Sequence, residues 1–543
     1  MEIEATIDEL IRRVSASLSD GGDAEVARDI GSQFAEVPGL APHIIAAAHR
    51  AARAHRSDLR FNAACYLLFY PLESLALDEL IGLQAEPDAG PRARRSLTAF
   101  AEDPRVKPEQ VAVLFNQAGH ARFVPGHDLD VTVERRLSSA ADRLGELAPG
   151  TQGPRTAAAY AADLVAAADE HVFTIAYDLA GNVFALPAET RIRTARAALD
   201  LPHPLVRAGA LVWLTDRDPA VRGTVAEAVA EAAINGRLDG DSRRRVETLT
   251  RWMPASDRET LERVIAGFDS AGIGSAPSRA PQIKSVHLPM VGGAGTARVM
   301  IESLTGGVWS VSGLVSHEAK GLLGGWRRPV KSRADLDSIL EERDPDGAAQ
   351  RVNYTLARTF LAERLAVAQA AGHAPAFDAL EAAEATGLMD LEPAATGPHA
   401  RYAELASEIR DDPGSPPDTE TALEASAQWP EAVTTLANWR PALSQIADVA
   451  SIDPENLSDS FVDACVEDWG ETWADRLLWL ALATQTADLD GHWAQFVHVA
   501  GALLSDRPMA EIPLARRLVA DAVRALQGVE DQDTARTDAE AGA

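Results

Sequence analysis

The sequence predicts a mainly α fold: an irregular α-solenoid-like helical array, a small three-stranded antiparallel β-meander module in the middle, and a helical C-terminal unit. Three observations carry this. Apolar residues recur at helical spacing through most of the first 266 residues, in stretches too short to stand alone. The period changes to two between residues 284 and 317. Helical spacing then resumes, and six of the ten tryptophans (Trp429, Trp439, Trp469, Trp473, Trp479 and Trp493) fall within 421–527.

Thr6 and Glu9 form an expected capping box for the first helix, which "SDGGDAE" (19–25) stops. Further helices are expected near 24–36, 40–55, 58–69, 73–84, 91–102, 107–117, 130–146 and 154–170. "HVFTIAYDLAGNVFAL" (171–186) fits a hairpin turning at "AGN" or a helix end followed by a loop, and its helical neighbours favour the helix.

The clearest signal is a phrase written twice, "HPLVRAGALVWL" (203–214) and "DPAVRGTVAEAV" (218–229). Pro204 and Pro219 suit a first helical turn, where a missing N–H costs nothing. Asp218 suits the N-cap, and His203 takes the equivalent place. Val206, Ala210, Trp213 and Leu214 form one buried stripe, and Val221, Val225, Ala228 and Val229 form the next. "LPAETRIRTARAAL" (186–199) supplies a third helix of the same design. This P-x-V-R phrase, with aspartate before it and small aliphatic residues after it, resembles HEAT-like repeats, clearly over 186–234 and faintly over 40–120. The resemblance implies a curved α-solenoid that presents surfaces to partners, with Arg207 and Arg222 bracing neighbouring turns. The chain departs from that family in spending one helix on each fifteen-residue phrase rather than a longer helix pair, so an irregular array is expected.

"FDSAGIGSAPSRAPQ" (268–282) reads as a linker. Beyond it, Val286, Leu288 and Met290 share one strand face; Ala297, Val299 and Ile301 share another. Trp309, Val311 and Val315 alternate against serines, with turns at "GGAG" (292–295) and "TGG" (305–307). Ser332 and Asp335 form a second capping box. The expected divisions are a helical array over 1–266, a flexible linker over 267–283, and the β-meander plus helix over 284–345. A helical segment over 346–410, a flexible break over 411–420, a Trp-rich helical unit over 421–527 and a disordered acidic tail over 528–543 follow.

The formal net charge of −30 disfavours nonspecific binding to nucleic acid or anionic membrane. Only four of the 51 basic residues are lysines, a codon-level signature of a GC-rich bacterial genome. No run of eighteen apolar residues exists and the start lacks the features of an export signal, so no membrane span and a cytoplasmic location are expected. Cys65 and Cys465 stand in apolar helical contexts and read as free thiols rather than a disulfide or zinc site.

One region departs from the acidic whole. Between Lys284 and Arg333 stand seven basic residues and two acids, +5 in a chain of −30, which leaves −35 elsewhere. "KGLLGGWRRPVKSR" (320–333) reads as a basic loop around an exposed tryptophan. Its candidate partner-binding residues are Lys320, Trp326, Arg327, Arg328, Lys331 and Arg333. Three occupants compete: the chain's own acids, a protein partner, or a nucleic acid or phosphate ligand. Asp463, Glu467, Glu471 and Asp475 recur every four residues, and would line one solvated or partner-facing helix side.

Catalytic signals are sparse. His287, His317 and Glu318 are the candidates for acid–base work, but "HEAKG" lacks the second histidine of a zinc protease and adjacent strand residues point to opposite faces. "GGAGTAR" lacks the lysine and helix of a phosphate loop. "DLDGHW" (488–493) and "DPDGAA" (344–349) lack the last acid of a calcium loop. "PGHDLD" (125–130) reads as a loop and helix cap. No metal and no cofactor are expected. The leading expectation is a non-catalytic cytoplasmic scaffold that binds a protein partner. The alternatives are an enzyme with its site where the β-module meets the helices, or a nucleic-acid or phosphate-ligand binder through 320–333.

Overall fold

A computed structural model describes residues 2–19, 38–54, 58–81, 88–121, 123, 161–162, 164–166, 168, 171–181, 183–184, 188–277, 280–288, 291–343, 349–411, 418–441, 452–487, 493–525 and 527. Two compact units divide the chain: residues 1–250 with 255–276, and residues 251–254 with 277–543. The helices expected at 24–36, 130–146 and, for the most part, 154–170 lie outside the described residues, as do the tail 528–543 and "PGHDLD". So does nearly all of "DPDGAA" and "DLDGHW".

Among its described residues, every regular element of the first unit is a helix. Helix α1 (Glu2–Ser19) begins upstream of the expected capping box, so Thr6 lies inside it, and Glu9 pairs with Arg12 one turn on. Helices α2 (Ala41–Ala54), α3 (Asp58–Ile81), α4 (Ala89–Glu102) and α5 (Pro108–His120) follow. The break expected near Pro71 is absent: one helix passes through it. These helices share one core, which includes Ile7, Ile45, Phe61, Leu68, Phe100 and Leu114.

Helices α6 (Val172–Gly181), α7 (Ala188–Asp200), α8 (Pro204–Gly209), α9 (Pro219–Ile234), α10 (Gly240–Trp252) and α11 (Ala255–Ser270) continue the unit. The helical reading of 171–186 holds over Val172–Gly181. The two caps form as their spacing requires: the His203 ring accepts from the Leu205 N–H, and the Asp218 carboxylate from Ala220. After Gly209 the first phrase tightens to a 3₁₀ turn over Ala210–Thr215. Helix α7 packs on α9 and α9 on α11, while α8 packs on α6. The helix of the expected linker region runs on to Ser270, so flexibility can begin only after it.

Arginines tie these helices together. Buried Arg191 donates to the buried Asp216 carboxylate at 2.9 and 3.2 Å. Arg222 grips Asp257 through two bonds of 2.9 and 2.8 Å and also donates to the Asp216 carbonyl. Arg207 reaches the carbonyls of Arg237 and Leu201, and Arg243 that of Ile273.

The second unit opens with a five-stranded antiparallel sheet in the order β4-β3-β2-β1-β5, built from β1 (Gln282–Leu288), β2 (Thr296–Thr305), β3 (Val308–His317), β4 (Gly321–Val330) and β5 (Gln350–Arg351). The sequence expects three strands. The fourth is the stretch read as a basic loop: its glycines, proline and paired arginines hide any alternation, but it pairs with β3 from Trp309↔Val330 to His317↔Gly321.

The sheet inverts one further expectation. Ser303, Ser310, Ser312 and Ser316 are fully buried, whereas Trp309 is exposed. The serines lie on the strand face that meets α14 (Asp378–Thr386), a helix lined by Ala379, Ala382 and Ala383. Small hydroxyl side chains admit the helix closely, and three of the four find partners: Ser303 donates to the Ala385 carbonyl at 2.9 Å, Ser310 lies 3.3 Å from Ser303 Oγ, and Ser316 donates to the Ala297 carbonyl, while the Ser312 hydroxyl has none. The other face carries Glu302, Val311, Trp326 and Arg328, cross-strand neighbours or next-nearest ones. Helix α12 (Arg333–Arg343) packs there through Leu336 and Ile339 on Val311. Half of its capping box forms: Ser332 accepts from the Asp335 N–H, while the Asp335 carboxylate accepts from the N–H of Lys331, one residue before the cap.

Helices α13 (Tyr354–Ala370), α15 (Pro398–Asp411), α16 (Thr419–Ser426), α17 (Asp459–Val466), α18 (Gly470–Thr486), α19 (Trp493–Leu503) and α20 (513–525) complete the unit. Trp429, Trp439, Trp473 and Trp479 are core residues. The expected acid ladder is broken, because helical bonding lapses across 467–469 between α17 and α18. Its four members do not share one helix face. No described helix is long and apolar enough to cross a membrane.

Candidate functional site: the two ends of the sheet

Strands β2 and β3 each run ten residues, which separates the ends of the sheet by about 30 Å. The ends differ sharply. At one end are the 292–295 turn and the β3–β4 turn 317–320; at the other are the β2–β3 tip and the last residues of β4.

The first end is bolted down. Buried Arg476 of α18 forks onto Glu318 at 2.7 and 2.9 Å. It also reaches the Gly293 carbonyl and lies 5.4 Å from the Trp439 ring and 5.8 Å from Trp469. The Trp439 indole N–H donates to the Val291 carbonyl at 2.8 Å. Gly295, at φ 75°, leaves the space that Glu318 occupies, and a Cβ there would collide with its carboxylate.

Alongside, Arg401 of α15 pairs with both Glu363 and Asp475, and stacks 4.1 Å over Trp479. Arg364 pairs with Asp475 at 3.4 Å, lies 5.0 Å over Phe360, and donates to the Glu318 carbonyl at 3.5 Å. Burial raises the Glu363 carboxyl above the usual range, with the Arg401 charge working against it. Three guanidinium groups meet three carboxylates, each cation also covering an aromatic ring. Such a network is neutral overall and leaves little free charge for chemistry.

The three catalytic candidates do not converge. Glu318 is spent on Arg476. His317 is buried with Nδ1 accepting the Ala319 N–H at 3.1 Å and a further bond to the Ala294 backbone. Burial lowers its basicity, the Glu318 charge opposes this, and Lys320 and Arg476 reinforce it. His287 lies on the other side of β2, its Nε2 3.2 Å from Ser285 Oγ, which donates to the buried Glu302 carboxylate at 2.8 Å. In that chain the serine stands between acid and imidazole. A serine nucleophile needs the imidazole in the middle, so the order is wrong for a triad.

The first unit holds a His–Asp pair that was not foreseen, His49 and Asp103 at 3.0 Å. Arg53 and Arg105 also hold that carboxylate, and the Arg105 backbone N–H is the chief cause of its depressed pKa. That carboxylate, too, is already engaged.

The second end of the sheet is open. Val308 is 47% exposed and Trp309 40% exposed. The Lys284 ammonium lies 5.5 Å from the Trp309 ring centre. Arg328, Pro329 and Lys331 are exposed beside them in the pairing register. The six proposed partner-binding residues are therefore scattered. Lys320 belongs to the bolted end, where burial lowers its pKa. Trp326 is not an exposed loop residue: its indole lies over Gly313, where any Cβ would overlap it. Arg327 lies on the face toward α14, opposite to Arg328. Arg333 pairs with Asp337 at 3.0 Å. Only Arg328 and Lys331 stay at the open end, joined by Lys284, Val308 and Trp309.

The β4 edge is shielded near its start. The Ala376 N–H donates to the Leu323 carbonyl, and Asp378 accepts from the Gly325 N–H. Alternation places the N–H groups of 325, 327 and 329 on that edge, and Pro329 has none.

The sequence reading missed Glu363, Arg364, Arg401 and Arg476, and took Asp475 for a solvated or partner-facing acid, where it instead pairs with Arg364 and Arg401. A signal was present: charged pairs inside apolar runs, as in "FLAERLAV" (360–367) and "WADRLLWLAL" (473–482). Such charges must be paired once buried.

Compared with known proteins, residues 187–272 match the family model described as the Y4lR second domain, and residues 399–527 that of the Y4lR C-terminal helical domain. The first covers α7–α11 and the second α15–α20. No curated protein and no solved structure matches the chain.

Proposed function

We propose that this is a non-catalytic interaction protein whose open sheet end binds a protein partner. One observation carries the reading: Arg364, Arg401 and Arg476 are consumed by Glu363, Asp475 and Glu318 at one end of the sheet, while Val308 and Trp309 stand exposed with Lys284 and Lys331 at the other. Tryptophan is among the residue types that anchor protein interfaces.

The first unit supports this role as a HEAT-like, solenoid-like array. Helices α7, α9 and α11 stack in succession, and the 3₁₀ turn Ala210–Thr215 that ends the first of the twice-written phrases packs on α9, the helix of the second. Arg207 and Arg222 brace neighbouring segments as that likeness implies. A cytoplasmic setting suits the free thiols Cys65 and Cys465.

A photo-crosslinking amino acid at position 308, in cells, tests the reading. The expected result is a discrete, protease-sensitive adduct that Lys284→Glu/Lys331→Glu abolishes, with none from the same probe at exposed Leu59. No adduct at 308, or one that nuclease removes, overturns it.

A further inference from the structure

We infer that Lys320 is a covalent modification site: its amine, with His373 taking the proton, accepts an acyl group from an activated small-molecule donor, a thioester or an acyl phosphate.

Of the four lysines, Lys107, Lys284 and Lys331 are exposed, and Lys320 alone is half-buried. It closes the β3–β4 turn, where its N–H donates to the His317 carbonyl at 3.3 Å. That turn is pressed onto α13: a Cβ on Gly321 would overlap the Arg364 carbonyl and the Ala368 nitrogen.

The charges around it are already matched. Arg476 holds Glu318, and Arg364 and Arg401 share Glu363 and Asp475. Three guanidinium groups thus meet three carboxylates, which leaves the Lys320 ammonium as the surplus cation of this end. Among the described residues no carboxylate pairs with it. A lysine buried without a counter-ion sheds its proton more readily, and burial does lower this pKa. More of the amine is then in the unprotonated form, which is the nucleophile.

Two imidazoles stand near. His317 is committed to the Ala319 N–H and to the Ala294 backbone. His373 is placed differently. Its backbone N–H donates to the Ala368 carbonyl at 2.9 Å, and Ala368 is the residue on which Gly321 packs, so Lys320 and His373 are brought to one turn of α13. Its ring makes no bond to a described residue. Burial, and then the Lys320 charge, hold the ring neutral and ready for a proton.

In the step, the free Nζ attacks the acyl carbonyl carbon. A C–N bond forms, and the bond from that carbon to sulfur or to phosphate oxygen breaks, its electron pair leaving with the thiolate or phosphate. The proton shed by the nitrogen passes to His373 and on to water. The product is an uncharged amide, so acylation removes the surplus cation from this end of the sheet.

The purified full chain, kept at neutral pH with acetyl phosphate in one arm and an acetyl thioester in the other, tests this. Peptide mass spectrometry follows the occupancy of all four lysines with time. Lys320 is expected to gain acetyl at least about threefold faster than the three exposed lysines in one or both arms, and the reacting arm names the donor. The advantage should shrink as the pH rises to about 10, where exposed lysines also lose protons. His373→Gln, first shown to melt like wild type, should slow Lys320 by about threefold or more and leave the other three lysines unchanged. Lys320 reacting no faster than the exposed lysines in both arms overturns the inference. So does an advantage that persists at high pH, or a His373→Gln rate equal to wild type.

Discussion

The two ends of one sheet use the same side chains to opposite effect. At the bolted end Arg364, Arg401 and Arg476 are buried, each placed between a carboxylate and an aromatic ring. At the open end Lys284 and Lys331 face water, beside a tryptophan that a core would ordinarily claim. A cation's neighbours, more than its type, decide whether it holds the fold together or remains available to another molecule.

That contrast can be broken first at the buried end. Arg401→Ala leaves Glu363 and Asp475 without their shared partner and should destabilise the second unit by about 3–5 kcal/mol. Urea unfolding followed by tryptophan fluorescence measures it. A loss under about 1 kcal/mol would show that the network is a surface decoration. Arg222→Ala in the first unit strips Asp257 of a two-pronged partner, and a loss of about 3 kcal/mol is expected there by the same logic.

A smaller effect follows from His317. The folded state holds the ring neutral, with a pKa below its ordinary 6.5, chiefly through burial. The unfolded chain therefore binds more protons between the two values, and stability is complete above pH 6.5 and falls as the pH drops through the folded value. His373 and His498 are lowered in the same direction, also by burial, so they add to the slope. Thermal melts from pH 7.5 to 5 should show this acid loss, and His317→Gln should flatten part of it. An unchanged slope would remove His317 from the account.

The smallest change in stability is expected at the open end. Lys331→Glu should shift unfolding by no more than about 0.5 kcal/mol, because nothing buried depends on that side chain. If it costs as much as Arg401→Ala, the two ends are not different in kind.

What the sequence revealed follows the range of the forces involved. The caps at His203, Asp218 and Ser332 were legible because they join residues two or three apart. Strands β1, β2 and β3 were legible from their alternation, but β4 was not: "GLLGGWRRPV" becomes a strand through pairing with β3 and the seating of Trp326 on Gly313. The serines of β3 misled because polarity normally marks the wet side, whereas here small size mattered more, in front of the alanines of α14. Asp257, 35 residues beyond Arg222, and Glu318, 158 residues before Arg476, lie beyond any local pattern. Of the candidate site, Arg328 and Lys331 were foreseen. Lys284 and Trp309 were noted only as strand or island members, and Val308 was not noted.

Pro329 has one more effect. Sheets with a bare border tend to recruit a second border, and two molecules then zip into a ribbon that grows without limit. A ring in place of one donor denies the outer half of β4 that growth, so the chain can display greasy indole and isopropyl groups in crowded solution without polymerising. Pro329→Val would restore the donor, and the molecule would be expected to turn sticky toward its own kind before it became less stable.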